Sequence, residues 1–230
     1  MEVSKRVVLW ITATPLIVQF CIWGVARESW FYQRIIESES GIVELATAFL
    51  LAPAAIFAMR AARSGQQQGL RILPALMVVF AIGCVFLAGE ELSWGQHAIG
   101  WSTPDYFIAH NIQDETNLHN LESFNKNLLK WIVVVAIGIG GIASLFLDKL
   151  RSQDGLWSNS NSIIWIMPTQ VCLLAAIITL SLHVFTKVLG WNGIEMGEAW
   201  GINLRETTEL YISIFFFLYA WSLLRRLTRS

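Results

Sequence analysis

Six stretches of this chain stay apolar for close to the ~20 residues a helix needs to cross the hydrocarbon core of a bilayer. They run over roughly 7–26, 41–61, 70–94, 128–147, 162–189 and 206–224. Lipid offers no water to backbone N–H and C=O groups, so such segments must satisfy their own hydrogen bonds as helices. The sequence therefore predicts an all-α polytopic membrane protein, a six-helix transmembrane bundle forming a single domain over 1–230. Composition agrees. The chain is 55% apolar and 14% charged, where soluble domains carry about 25% charged residues. That balance excludes a disordered chain, a coiled coil, a nucleic-acid binder with a basic surface and almost any soluble enzyme.

Lys5 and Arg6 ahead of an apolar run imitate a signal peptide, but no A-x-A-like cleavage site follows, so the first segment is read as a retained membrane helix. Cys21, Cys84 and Cys172 lie far apart inside apolar runs and read as small buried hydrophobes rather than a disulfide or metal framework. In the fourth segment, Ala136, Gly140 and Ser144 recur at four-residue spacing beside Gly138 and Gly141, the pattern of a closely packed membrane helix face.

Charge fixes the expected orientation. Lys5, Arg6, Arg60, Arg63, Arg71, Lys149, Arg151, Arg225, Arg226 and Arg229, ten of sixteen basic residues, fall on one side of the six-span layout. By the positive-inside rule both termini are cytoplasmic. Fourteen of the seventeen acids, all but Glu2, Asp148 and Asp154, lie at or near the other side. Trp23, Trp30, Trp94, Trp101, Trp131, Trp191 and Trp200 suit an outer aromatic belt, and Trp10, Trp157 and Trp221 an inner one.

An ionisable side chain at the centre of a bilayer costs roughly 2.5–3.5 kcal/mol on insertion scales, so acids within spans point to function. Glu44 opens the second span, Glu90 and Glu91 end the third, His183 lies near the end of the fifth, and Glu206 and Glu209 open the sixth. All reach one depth, beneath the polar outer loop 95–127. Within that loop Thr103-Pro104-Asp105 reads as a helix start: a capping hydroxyl, proline at the first position, an acid in the first turn. A short interfacial helix should follow. A second start near Asp114 would place Glu115, His119 and Glu122 on one face. If the third helix continues past Glu91, Glu90, Trp94 and His97 share another.

Carboxylates beside a neutral imidazole suit zinc, iron or manganese. The expected ligands to an unidentified divalent or transition metal are Glu44, Glu90, Glu91, Glu115, His119 and Glu209. Glu91 and His119 form the core ligand or acid–base pair, with Gln96, Asn117 and Asn120 as supporting hydrogen-bonders. His97 and His183 carry less weight, and His183 alone reads better as a packing histidine. For Glu206 and Glu209 alone, interfacial ion pairing, with Arg205 at i, i+4 to Glu209 and Arg27, Arg34, Lys126 and Lys130 available, together with a favourable helix dipole, is the simpler account. Ser93, with His97 at i+4, lacks a G-x-S-x-G setting for a nucleophile.

The string Gly89-Glu90-Glu91-x-Ser93-Trp94-Gly95-Gln96, then Thr103-Pro104, then Asn111-x-Gln113-x-Glu115-x-Asn117-Leu118-His119-Asn120, resembles a bacterial family of small polytopic membrane proteins with no established activity. The resemblance covers about a seventh of the chain. It implies a bacterial inner membrane and a shared, periplasm-facing site at these positions, without naming a reaction. Two functions remain open. One is a membrane-embedded protein whose outer carboxylate/histidine site uses a metal to act on a membrane lipid or lipid-linked substrate. The other is a non-catalytic accessory or assembly subunit that docks its outer loop onto partner subunits of a larger membrane complex.

Overall fold

A computed structural model describes residues 5–26, 41–111, 114–118, 120–121, 126–151, 163–193 and 204–228 of the 230. The long helices are α1 (Lys5–Ala26), α2 (Ile42–Gln67), α3 (Ile72–Glu91), α6 (Lys126–Arg151), α7 (Leu173–Trp191) and α8 (Leu204–Leu227), and two short ones, α4 (Gln96–Ile99) and α5 (Asp105–His110), lie in the loop after α3. Five stretches are long and apolar enough to cross a membrane: Ile42–Gln67, Ile72–Glu91, Leu128–Phe146, Gln170–Trp191 and Leu204–Leu227. The protein is thus all-α and multi-pass. The segment expected as a first span is helical over Lys5–Ala26 but is not among these five.

Helix α8 is the axis of the fold. In its membrane-spanning stretch 72% of residues are buried, against 22–39% for the other four, so the remaining helices surround it. It packs against α2 on one side and α7 on another, while α3 pairs with α2 and α6 with α7. Apolar burial does little to join helices in lipid, where close packing and polar contacts must hold them together. The sequence supplies both. Ala54, Ala58 and Ala61 of α2 are fully buried, and Gly141 of α6 lies so close to α7 that a Cβ there would come within 2.3 Å of the Ala176 Cβ. The Gly138/Gly141 face meets α7 as the small-residue pattern predicts, but Ala136 is exposed. Buried hydroxyls of Thr47, Thr179, Thr208, Ser144, Ser213 and Ser222 donate to carbonyls three or four residues earlier in their own helices, which satisfies them without a partner helix.

Element boundaries depart from expectation at three places. The fifth span starts at Gln170, not 162, because Pro168 cannot extend a helix and divides a short turn over Ile163–Ile166 from α7. Helix α3 stops at Glu91 rather than 94, because Ser93 and Trp94 adopt positive φ values of 44° and 55°. No helix starts at Asp114; residues 114–118 are irregular and a lone antiparallel bridge joins Asn111 to Leu121. The predicted start at Thr103-Pro104-Asp105 does form α5, yet Thr103 does not cap it, since its hydroxyl donates to the Asp114 carbonyl at 2.5 Å.

The two ends of the bundle differ chemically. At one end Gln68 Nε2 donates to the Leu227 carbonyl at 2.5 Å, and the Arg226 guanidinium donates to the carbonyls of Trp165 and Met167 while lying over the Trp165 ring. Arg60, Arg63, Arg71 and Arg225 belong to this end by their positions in α2, the α2–α3 turn and α8. The opposite end collects the start of α2, the end of α3, the starts of α6 and α8, and the loop carrying α4 and α5.

Candidate functional site

The polar end holds two carboxylate systems that begin at adjacent residues. Helix α3 ends in Glu90-Glu91, and the chain then reverses through left-handed backbone at Ser93, Trp94 and Gly95. Left-handed geometry costs about 1–2 kcal/mol at each residue other than glycine, so specific contacts must hold Ser93 and Trp94 there. The Trp94 indole folds back over Gly89, where a Cβ would stand 2.8 Å from two ring carbons. Its Nε1 donates to Glu90 Oε1 at 2.7 Å, and the Leu118 backbone N–H donates to Glu90 Oε2 at 2.7 Å. Glu90 is 2% exposed, so its burial is matched by two strong acceptor interactions.

Glu115 anchors the second half of this clasp. Ser93 Oγ and Asn117 Nδ2 donate to its Oε2 at 2.8 and 2.6 Å, and His97 Nε2 lies 3.0 Å from its Oε1. Asn117 Nδ2 also donates to Ser93 Oγ at 3.1 Å, and Asn111 Nδ2 donates to the backbone and side-chain oxygens of Asn117. Gln96 joins the two strands of the loop: its Nε2 donates to Thr103 Oγ1 and its Oε1 accepts the Thr116 N–H, both at 2.7 Å. Glu90, Ser93, Gln96, Asn111, Glu115, Asn117 and Asn120 are all buried. The described part of the motif is thus a hydrogen-bonded knot that pins Asn111 and residues 114–118 onto the end of α3.

Glu91 points elsewhere. One ligand oxygen each from Glu91, Glu206 and Glu209 lies within 4.8 Å of the others, an arrangement that could hold a metal ion. Glu206 and Glu209 are one turn apart on α8 and share a face. Lys130 of α6 donates to Glu209 Oε1 at 2.5 Å and to the Arg205 carbonyl at 3.3 Å, and Arg205 Nε lies 3.7 Å from Glu206 Oε1. Glu44, in the first turn of α2, is close enough to repel both Glu91 and Glu206 electrostatically. Helix dipoles favour acids at the starts of α2 and α8 but oppose one at the end of α3, where Glu91 sits. Glu91 is therefore the carboxylate for which a nearby cation matters most.

Glu44 and Glu91 also line a cavity of about 220 Å³ with Leu45, Leu92, Gly95, His97 and Ala98. Trp94 lines a larger apolar groove of about 630 Å³ between α2 and α3, with Ile56, Met59, Val85 and Phe86 among others.

Of the expected ligands, Glu91 and Glu209 come together, Glu44 stands beside them, and Glu90 and Glu115 instead serve the clasp. Gln96, Asn117 and Asn120 lie among the buried polar residues of the loop. His119 falls outside the described residues, as does Glu122. His183 is buried, with its ring edge-on to Trp131 at 4.4 Å between centroids, and is not part of the acidic group. Glu206 is the ligand type that sequence reasoning set aside, although its i, i+3 relation to Glu209 was the available signal. Glu209 forms an ion pair with Lys130 of α6, one of the basic residues expected to be near it. Compared with known proteins, the chain matches no family model, no curated protein and no solved structure.

Proposed function

We propose that this chain is an integral membrane protein of the bacterial inner membrane that binds a divalent cation through Glu91, Glu206 and Glu209 at its periplasmic face and acts there on a lipid or lipid-linked substrate. The observation that carries the reading is the convergence of three carboxylates from α3 and α8 within 4.8 Å. Like charges at that separation repel strongly at a low-dielectric boundary, while Lys130 pairs with Glu209 and Arg205 lies 3.7 Å from Glu206. A divalent cation would complete the neutralisation at Glu91. Once bound it would polarise an ester or phosphoryl oxygen and acidify a coordinated water. The orientation rests on the basic residues gathered at the opposite end of the bundle. A lipid substrate suits an apolar groove lined by Trp94 and a small cavity bearing Glu44, Glu91 and His97, because an amphipathic molecule needs both kinds of contact.

The Lys130–Glu209 ion pair favours a second reading, in which the cluster is a structural salt-bridge network in a non-catalytic accessory subunit of a membrane complex. Elemental analysis of the detergent-purified chain loaded with Mn²⁺, wild type beside Glu91→Gln and Glu209→Gln, separates the two. About one metal per chain, lost in both variants, is expected. A folded wild type that retains no metal overturns the proposal in favour of the accessory subunit.

A further inference from the structure

We propose that α2 and α3 hold one anionic glycerophospholipid from the leaflet at the arginine-rich end of the bundle, with its phosphate among Arg60, Arg63 and Arg71 and one acyl chain along the groove between the two helices. The site goes beyond the cation-binding reading and is separate from it, because these arginines lie at the opposite end of α2 and α3 from Glu44 and Glu91. A substrate lipid with its headgroup at Glu91 would meet the groove from the Trp94 end, in the other leaflet.

The groove of about 630 Å³ is lined by apolar residues and by Arg60. Ile56, Met59, Ile82 and Val85 in its walls are exposed, so the groove is open to the membrane. Both walls run into arginine at the same end. On α2, Ile56, Met59, Arg60 and Arg63 stand at i, i+3, i+4 and i+7, which places them on one face. On α3, Val85, Ile82, Val78, Ala75 and Arg71 follow one another at steps of three and four residues, and Arg71 keeps right-handed helical φ and ψ just before the first turn. Glu44 and Arg63 are separated by about 28 Å of helix at 1.5 Å per residue, close to the ~30 Å thickness of the hydrocarbon core. With Glu44 near one interface, Arg63 therefore reaches the headgroups of the other. Arg60, one turn deeper, can lay its stem along the groove and extend its guanidinium to the same level. No Asp or Glu occurs from Leu45 to Gly89, and among the described residues no acid pairs with any of these three exposed arginines. The connection that carries them is held in place. Gly65 packs so closely on α3 that a Cβ would stand 2.6 Å from Leu73 Cδ2, and Gln68 donates to the Leu227 carbonyl of α8.

Charge then selects the lipid. An acyl chain gains little by leaving the bilayer for an apolar groove, since lipid tails are as apolar as the side chains that line it. A phosphate facing three guanidinium groups and no competing acid gains more, and each arginine near an anionic headgroup is worth about a fivefold preference. A zwitterionic lipid carries its own cation beside the phosphate and profits less. The test presents the full chain in detergent with equal amounts of dioleoylphosphatidylglycerol and dioleoylphosphatidylcholine, and native mass spectrometry counts the lipid retained. Wild type should retain about one phosphatidylglycerol per chain, favoured roughly tenfold or more over phosphatidylcholine. Arg60→Gln/Arg63→Gln/Arg71→Gln should lose that preference. Arg225→Gln, which removes an exposed arginine of α8 at the same end, should keep it. Ile82→Trp fills the groove without altering charge and should lower phosphatidylglycerol retention severalfold. All the altered side chains are exposed, so the variants are expected to stay folded, which thermal unfolding verifies. Equal retention of both lipids by wild type, a preference that survives the triple change, or one that Arg225→Gln removes as completely, overturns the site. Unchanged retention in Ile82→Trp overturns the seating of a chain in the groove. No divalent cation enters the measurement, so this inference and the cation-binding reading fail separately.

Discussion

Glu90 and Glu91 are joined by one peptide bond and belong to two differently organised regions. Glu90 enters the clasp, where donors match its oxygens: an indole N–H and a backbone N–H, each at 2.7 Å. Glu91 enters a group with two other carboxylates, one oxygen of each lying within 4.8 Å of the others. The clasp is a satisfied polar network, which rigidifies and specifies a loop. The acidic group sets Glu91, at a helix C-terminus where the dipole adds to the cost, against Glu206 and Glu209 at the start of α8. The contrast teaches that a dense run of polar residues need not be one site. The two acids differ in what stands at their oxygens: N–H donors at Glu90, two other carboxylates beside Glu91.

The comparison can be broken most forcefully at Glu90. Glu90→Ala deletes two hydrogen bonds to a charged acceptor and leaves the Trp94 indole and the Leu118 N–H without it. The expected loss is about 3 kcal/mol, read as a lower midpoint for unfolding in mixed detergent micelles and faster proteolysis of the loop. Gly89→Ala comes next. Its Cβ would meet the Trp94 ring at 2.8 Å, and overpacking of this kind costs roughly 1–3 kcal/mol. Tryptophan fluorescence should report a displaced indole. Neither change touches Glu206 or Glu209.

A smaller change sharpens the other side. Lys130→Met removes the cation that pairs with Glu209. If the acids form a cation site, Mn²⁺ should then bind several-fold more tightly by titration, because a competing positive charge is gone. A cluster that exists only for ion pairing would instead lose stability and gain no affinity.

Much of the fold was legible in the sequence because the constraint of lipid on backbone hydrogen bonding is so strong. Hydrophobic length points to six spans, of which five are long and apolar enough to cross a membrane among the described residues, and the uneven distribution of Arg and Glu matches the chemical contrast between the two ends of the bundle. What was hidden arose from local backbone geometry. The positive φ at Ser93 and Trp94 ends α3 early and turns His97 toward Glu115; neither residue type announces that conformation. Asp114 reads as a helix start that would put Glu115 and His119 on one face, but the bonds made by Asn111, Gln96 and Ser93 hold residues 114–118 in an irregular path. Glu206 was underestimated because a helix-start acid beside an arginine has a ready local explanation, and only the packing of α8 at the centre of the bundle brings it to Glu91.

The central claim, that adjacent glutamates do different work, is tested most directly by thermal unfolding of wild type, Glu90→Gln and Glu91→Gln with and without Mn²⁺. A ligand at a hundred times its Kd stabilises the folded state by about 2.7 kcal/mol, a readily measured rise in midpoint. Glu90→Gln should unfold at a lower temperature than wild type in both conditions while keeping the metal-induced rise. Glu91→Gln should match or exceed wild type without metal and show no rise with it. If the two variants instead behave alike, losing stability together or keeping the metal response together, the division between clasp and cation site is contradicted.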